Sequence, residues 1–329
     1  MPVCNIIKLK NLSPLHIGTG KENRYDFSAS NLHSDTISAA LAALRAQQGK
    51  ANDTADFLNS FSISSAFPFW ENKLFLPKTQ GKLNVRVEKK EESEYRKQLK
   101  KLKYIDADLW SILVGGLSVT ISANCLQGDF LLNDVRGFEN PYQSQVNQRV
   151  SVPRADNSEA EPFFFNWTYY HPKAGLYCLT DATDEKFEEI LNLFQLLGES
   201  GLGTDRNIGG GKFEAEAGEL ELPDISDANQ TMLLSLYIPA KEELTKLQLQ
   251  KAKYELLLRG GYMAGSCEES FRHLRKRSVY MFNVGSLFPT TEPLTGKIVD
   301  LAPAWNDERM HPVFRSGRPF YLPVKINEI

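Results

Sequence analysis

A chain of 329 residues, 42% hydrophobic and 24% charged, is long enough for two ordinary domains, each with its own apolar core. Its net charge of −3 excludes a histone-like or tail-driven nucleic-acid binder, but leaves room for a local basic groove. Cys4, Cys125, Cys178 and Cys267 form no C-x-x-C pair, which argues against a zinc ribbon or a thioredoxin-type site and fits a reducing cytoplasm. The N-terminus lacks the shape of a signal peptide, and no stretch approaches the ~20 apolar residues of a membrane span, so a cytoplasmic protein is expected.

Val3 to Leu12 alternates as a strand, with Ile7 and Leu9 on one face and Lys8 and Lys10 on the other. A loop with Gly18 and Gly20 follows. An Ala/Leu-rich helix is then expected over Ile37 to Gln48, with Ser34 or Asp35 as its N-cap and Gly49 as its stop. Phe67–Trp70 and Leu74–Pro77 read as a hairpin around Glu71-Asn72-Lys73. From Lys82 to Tyr104, nine Lys/Arg stand against four Glu, best read as a solvated helix face. Leu117 to Ala123 alternates as a strand, and residues 128–160 form a long polar excursion of the kind that is functional or disordered. Tyr169 to Leu179 reads as a strand or hairpin. Asp184 to Leu197 is an amphipathic helix with Phe187, Ile190, Leu191, Phe194 and Leu197 on one face.

A glycine-dense segment, Gly198 to Phe213, runs into an alternating strand, Lys212 to Leu222, and Pro223-Asp224 marks a boundary. In the second half, Thr231–Ile238, Tyr254–Met263 and Val279–Phe288 read as strands, Ala240–Leu249 as helical, and Pro312–Val324 as a closing strand or hairpin. The order of elements thus repeats and is compatible with two ferredoxin-like units.

The glycine segment fails both common phosphate motifs: Arg206 stands where Walker A and G-x-G-x-x-G each need a glycine, and Phe213 where Walker A needs Ser or Thr. It also follows a helix and precedes a strand, the reverse of both. Glycines allow close backbone approach and exposed N–H groups that can hold anions, and Arg206 and Lys212 add positive charge. Their density favours packing against RNA or a neighbouring subunit over a simple turn. His16 follows the first strand. It is read as an RNA contact or as packing beneath the loop rather than as a general base, since one histidine is a weak catalytic signal. Arg272-His-Leu-Arg-Lys-Arg277 is either an RNA-backbone contact or a solvated turn. The carboxylates offer no metal constellation. Asp35 reads as a cap and Asp205 as a turn or interface residue.

The segment Gly201-Leu-Gly-Thr-Asp-Arg-Asn-Ile-Gly-Gly-Gly-Lys-Phe213 resembles the glycine-rich loop of the RAMP superfamily of CRISPR proteins. Within it, the chain resembles the member that grips the 5′ tag of the guide RNA in the type III-A (Csm) complex. Ser13–Gly20 and His33–Ala40 resemble that member's opening, Asn147–Arg154 a central stretch (without its usual Thr-Gly ending), and His311–Phe320 its closing strand.

The resemblance implies an α+β fold of two tandem ferredoxin-like (RRM-like) domains, 1–224 and 225–329. It also implies a glycine-rich loop at 198–212 and an inserted β-hairpin thumb at about 128–160 that separates guide from target. Arg136, Arg149 and Arg154 suit phosphate contact there, and Phe138 or Tyr142 could wedge against bases. The expected function is a non-catalytic subunit that caps the 5′ tag of the crRNA. It would bridge the large polymerase-like subunit and a backbone RAMP subunit, with target RNA nearby and no cofactor, metal or membrane.

Expected RNA contacts are His16, Gly18, Gly20, Lys21, Ser34, Arg136, Asn147, Arg149, Arg154, Gly201, Gly203, Arg206, Asn207, Gly209, Gly210, Gly211 and Lys212. They should converge on one face. The rivals are an endoribonuclease that processes precursor crRNA, using His16, His33 and Lys21, and a protein-only assembly subunit.

Overall fold

The computed structural model describes residues 3–18, 25–152, 160–263, 265–266, 268–305 and 307–327. β1 (Val3–Lys10) buries Ile7 and Leu9 on one face and leaves Lys8 and Lys10 half-buried, as its alternation predicts. α1 (Ser34–Gln47) and the short α2 (Thr54–Asn59) follow. β2 (Phe67–Trp70) and β3 (Lys73–Pro77) form the expected hairpin, turning through Glu71. The charge-rich run gives β4 (Val85–Val87) and α3 (Glu92–Lys101), a solvated helix that buries Tyr95. β5 (Tyr104–Asp106), α4 (Ala107–Val114), β6 (Val119–Ile121), β7 (Leu126–Gln127) and β8 (Phe130–Leu131) come next. A long hairpin of β9 (Tyr142–Ser151) and β10 (Glu161–Tyr170) then leads into β11 (Ala174–Thr180), α5 (Asp184–Ser200) and β12 (Glu214–Glu221).

β12, β1, β11 and β2 lie side by side in that order, each neighbour antiparallel. With α1 between β1 and β2, and α5 between β11 and β12, this is the strand order of a ferredoxin-like βαββαβ unit. Everything from β3 to β10 is inserted between its second and third strands, and β3, β5, β8 and β7 extend the sheet to eight strands. One face carries Ile7, Leu9, Leu176 and Cys178 against Ile37 and Leu41 of α1 and Ile190, Phe194 and Leu197 of α5. The other carries Ile6, Phe67, Phe69, Tyr177 and Leu179, joined to Trp110 of α4. Each such side chain contributes about 1.5–3 kcal/mol through burial.

The second half contributes β13 (Gln230–Leu233), β14 (Leu256–Arg259), β15 (Val279–Phe282), β16 (Leu287–Phe288), β17 (Ile298–Asp300), β18 (Phe314–Ser316) and β19 (Tyr321–Val324). β13 sits between β16 and β19, while β14–β15 and β17–β18 are two-stranded ribbons. Met232, Leu234 and Val324 close the core on the face of the large sheet away from α1 and α5. The helix expected over 240–249 is replaced by a 3₁₀ turn at Lys241–Glu243 and further turns. The reason is Glu243, whose buried carboxylate gathers Ala240 N (2.7 Å), Tyr237 Oη (3.0 Å) and Thr295 N (2.5 Å). The chain winds around that anchor, because a buried carboxylate left without donors would cost far more than a lost turn of helix.

Asp35 is not a cap. His33 holds the cap position, and the Asp35 carboxylate, fully buried, receives Arg259 (Nε 2.9 Å, Nη2 3.1 Å) and Arg315 from the second half. Ser34 is likewise part of this seam. Its Oγ accepts from Leu236 N at 2.9 Å, and its own N–H donates to Ser65 Oγ at 3.1 Å. An RNA contact from Ser34 is therefore corrected to a structural role between the halves.

Candidate nucleic-acid interface

Three segments far apart in sequence meet at the end of β1: residues 13–18, the glycine loop, and the β9–β10 hairpin. Leu15 and Thr168 exchange two backbone hydrogen bonds of 2.9 Å, docking the hairpin on the first loop. Gly211 N donates to Pro14 O (2.9 Å), Thr204 N to His16 O (3.1 Å), and Ser13 Oγ to Gly209 O (2.8 Å), which lock the glycine loop to the same segment.

The hairpin is displaced from the expected thumb. It spans Tyr142 to Tyr170, with Tyr142 opposite Tyr170 and Ser151 opposite Glu161, so its second strand is the aromatic run Phe163-Phe-Phe-Asn-Trp-Thr-Tyr-Tyr170. That strand was missed because nearly every position is aromatic or polar-aromatic, which hides the period of two. Antiparallel pairing puts Phe163, Phe165, Trp167 and Tyr169 on one face, opposite Arg149, Asn147, Gln145 and Gln143. Phe165 and Trp167 are buried. Trp167 lies so close to Gly210 that a Cβ there would sit 2.7 Å from the indole.

The glycines are mostly required by the protein itself. A Cβ would come within 2.2 Å of Phe213 O at Gly198, 2.5 Å of Gly210 O at Gly201, 2.2 Å of His16 O at Gly203 and 1.9 Å of Leu202 O at Gly211. At Gly201, Gly203, Gly210 and Gly211 the loop packs against its own chain, which alone accounts for a glycine there. Gly209, with φ +89° and nothing within 4 Å, and Gly18 remain on the open side.

Other expected contacts separate in the same way. His16 is 1% exposed, its ring 4.5 Å from that of Phe165 and its Nδ1 2.7 Å from Asn166 O. Burial lowers its pKa, partly offset by that carbonyl, so it sits neutral beneath the loop and is corrected from RNA contact to packing. Arg149 stands 4.3 Å from the Phe165 ring and 5.2 Å from that of Trp167, and pairs with Asp205 at 2.5 Å; its charge is already matched. Arg136 is exposed and paired with Asp134 (2.9 Å), in the segment before the hairpin rather than on it. Phe138 also lies there, its ring 5.6 Å from Trp70 and 5.9 Å from Phe75, so it packs rather than wedges. Asn147 faces Tyr169, Nδ2 to Oη 3.4 Å. Gly20, Lys21 and Arg154 lie outside the described residues.

Arg206, Asn207 and Lys212 are exposed, and the side chains of Arg206 and Lys212 have no ion partner among the described residues. Beside them, Ile208 is exposed at the tip of the loop. The other hairpin face shows Val146, Val150 and Phe164 to solvent. The loop presents two cations without an ion partner among the described residues, together with an amide, while the opposite face of the hairpin presents an apolar ribbon. Such a surface can hold a phosphate backbone and lean on bases. Among the described residues no group of acids, histidines and cysteines could hold a metal ion, and no helix is long and apolar enough to cross a membrane.

A ferredoxin-like unit with a glycine loop docked on its first strand defines a class. The chain belongs to the RAMP superfamily, whose family model matches residues 8–214. The model of the CRISPR Csm4 C-terminal domain matches residues 226–324, which relates the chain to Csm4 within that superfamily. A curated relative, the CRISPR system Cms protein Csm4 of Thermococcus onnurineus (strain NA1), is 24% identical over 259 residues, 76% of this chain and 81% of that protein.

Among solved structures, the Csm1–Csm4 cassette in complex with cA4 aligns with a TM-score of 0.61 at 20% identity, over 99% of this chain and 100% of that one. The Csm3–Csm4 subcomplex of the type III-A CRISPR-Cas interference complex aligns at 0.62 and 17%, over 98% and 99%. The α+β fold is that of these structures.

Proposed function

We propose that the chain is a non-catalytic crRNA-binding subunit that caps the 5′ tag of the guide. In this reading Arg206, Asn207 and Lys212 hold the tag backbone, with Gly209 and Gly18 allowing close approach. The exposed hairpin face, led by Phe164, lies where guide and target RNA part. Residues 1–224 carry the RNA-facing elements and 225–329 the second unit. The large polymerase-like subunit and a backbone RAMP subunit flank the chain, in keeping with the Csm1–Csm4 and Csm3–Csm4 pairings of the relatives. The observation that carries the reading is the docking of the glycine loop and the aromatic hairpin on residues 13–18, with Arg206 and Lys212 exposed and without an ion partner among the described residues. Buried, neutral His16 supports a role without chemistry, because a general base must reach the proton it takes.

The test is a mobility-shift titration of labelled repeat–spacer RNA, with and without its 5′ tag, at two salt concentrations. Intact, tag-dependent, salt-sensitive complexes are expected. The double variant Arg206→Ala, Lys212→Ala should bind more weakly, with a salt slope lower by about 1.4, at ~0.7 for each lost single-strand contact. Cleaved RNA, or equal affinity with and without the tag, overturns the reading.

A further inference from the structure

Unused polar groups also gather away from the glycine loop. A cleft of about 140 Å³ opens beside the start of β2, lined by Asn31, His33, Phe67, Lys78, Thr79 and Tyr104. There Ser64 N donates to Leu179 O (2.9 Å), and Leu179 stands opposite Ile6 in the first half of β1, whereas the glycine loop docks past the other end of that strand. Thr79 is 4% exposed, and its hydroxyl has no hydrogen-bond partner among the described residues. A buried hydroxyl left in that state is a cost that a ligand can remove. Tyr104 Oη donates to Asn31 Oδ1 (2.9 Å), which leaves the Asn31 amide N–H groups for the cleft. Lys78 Nζ donates to Leu99 O and Lys100 O (both 3.1 Å) and keeps one N–H. His33 is neutral, because burial and then Arg259 lower its pKa to about 3; with Nδ1 3.5 Å from Ser65 Oγ, its Nε2 has no partner among the described residues. The other polar side chains on the wall are engaged: Asn283 with Glu255 (2.8 Å), Gln80 with Val284 O (3.4 Å), Lys103 with Asp129 (2.8 Å) and Ser65 with Ser34 N (3.1 Å).

The cleft adjoins a row of unmatched cations. Lys78 ties it to the last turn of α3, where Arg96, Lys97, Lys100 and Lys101 are exposed and have no ion partner among the described residues. Arg96 with Lys100, and Lys97 with Lys101, are like-charged i,i+4 pairs, which weaken a helix unless an anion lies across them. The acids of α3 do not offset them. Glu94 accepts from Glu91 N (2.9 Å) and Glu92 faces Lys82 (3.7 Å), both at the other end of the helix.

We propose that this cleft holds one uracil base of a single RNA strand whose neighbouring phosphates lie along Arg96, Lys97, Lys100 and Lys101. A cavity of about 150 Å³ holds one benzene-sized ring, so this one suits a pyrimidine rather than a purine. Asn31 Nδ2 and Lys78 Nζ are donors, which match the two carbonyl oxygens of uracil better than the amino edge of cytosine. Thr79 Oγ1 or His33 Nε2 can accept from the remaining N–H of the base. The four cations extend over more than one helical turn, so a strand fits them better than a free nucleotide. The site is independent of the glycine loop and of the tag reading.

The test uses the full chain carrying Arg206→Ala and Lys212→Ala, so that the tag surface is weakened and the two readings can fail separately. Anisotropy titrations compare labelled oligouridylate, oligoadenylate and uridine monophosphate. Oligouridylate should bind about fivefold tighter than oligoadenylate. Thr79→Val, which keeps the shape and removes the hydroxyl, should erase most of that preference, and Thr79→Ser should restore it. Alanine at 96, 97, 100 and 101 together should lower the oligouridylate salt slope by about 0.7 for each cation in contact. It should leave the thermal midpoint unchanged or raised, because the repulsive pairs are gone. Crosslinks from 4-thiouridine RNA should fall on the peptides that hold Phe67 and Tyr104. Equal affinity for the two oligomers, a preference that survives Thr79→Val, a salt slope unchanged by the alanines, or crosslinks confined to the glycine loop would each overturn the site. Uridine monophosphate binding as tightly as the oligomer would overturn the strand.

Discussion

Phe164 and Phe165 are neighbours on β10, yet one is 56% exposed and the other 2%. The difference follows from the pleat, which sends successive side chains to opposite faces. On the packed side Phe165, Trp167, Arg149 and His16 fill the space against the glycine loop, and each polar group among them has a partner. On the open side Phe164, Val146 and Val150 meet nothing comparable. The glycine loop divides in the same way, Gly211 and Gly203 facing the chain and Gly209, Arg206 and Lys212 facing out. The residues that build this platform are therefore distinct from those free to bind. Composition alone would count them together.

Substitution can break the comparison on its packed side. Gly211→Ala drives a Cβ into the Leu202 carbonyl and should destabilise the chain by more than about 4 kcal/mol. Gly209→Ala bears only its positive φ, about 1–2 kcal/mol. Denaturant unfolding of the two variants reads the contrast, and equal midpoints would refute it.

A smaller step separates the hairpin faces. Trp167→Ala should cost about 3–5 kcal/mol through the cavity it leaves. Phe164→Ala should cost under about 0.5 kcal/mol and act on RNA binding instead. A stability loss at Phe164 as large as at Trp167 would mean that the outer face is also packed.

The smallest effect is a pH dependence that sharpens the packed side. The pKa values of His16 and His33 are lowered in the fold, so below the ordinary value near 6.5 the unfolded chain takes up protons that the fold excludes. Their contribution is intact above that value and is lost as pH falls toward the folded values, about 3 for His33. The slope for each is up to about 1.4 kcal/mol per pH unit. Unfolding free energies between pH 7 and 5 should decline less steeply in His16→Asn than in wild type. Identical slopes would place His16 in contact with water.

The ferredoxin-like first half was legible because its patterns are local. The alternation of β1, the apolar stripe of α5 and the turn at Glu71 each determine an element without help from distant residues. The segment at 240–249 misled because Leu244, Leu247 and Leu249 mimic a helical stripe, while the deciding residue, Glu243, acts through partners as far away as Thr295 and Gly296. The glycine loop was legible as a special backbone. What it packs against was not, since a glycine demanded by one's own carbonyl and one demanded by a ligand look alike in sequence. His16 shows the same ambiguity, which its packing against the Phe165 ring resolves.

The Asp35 pairing also bears on how the molecule is made. Asp35 leaves the ribosome well before Arg315, which follows it by 280 residues. Chains fold from the N-terminus as they are synthesised. Until Arg259 of β14 and Arg315 of β18 arrive, α1 carries a carboxylate without its partners, and its N-terminal turn must stay hydrated. The first half can therefore collapse but cannot close on its own. A chain that lacked Arg259 and Arg315 would leave the start of α1 unsealed.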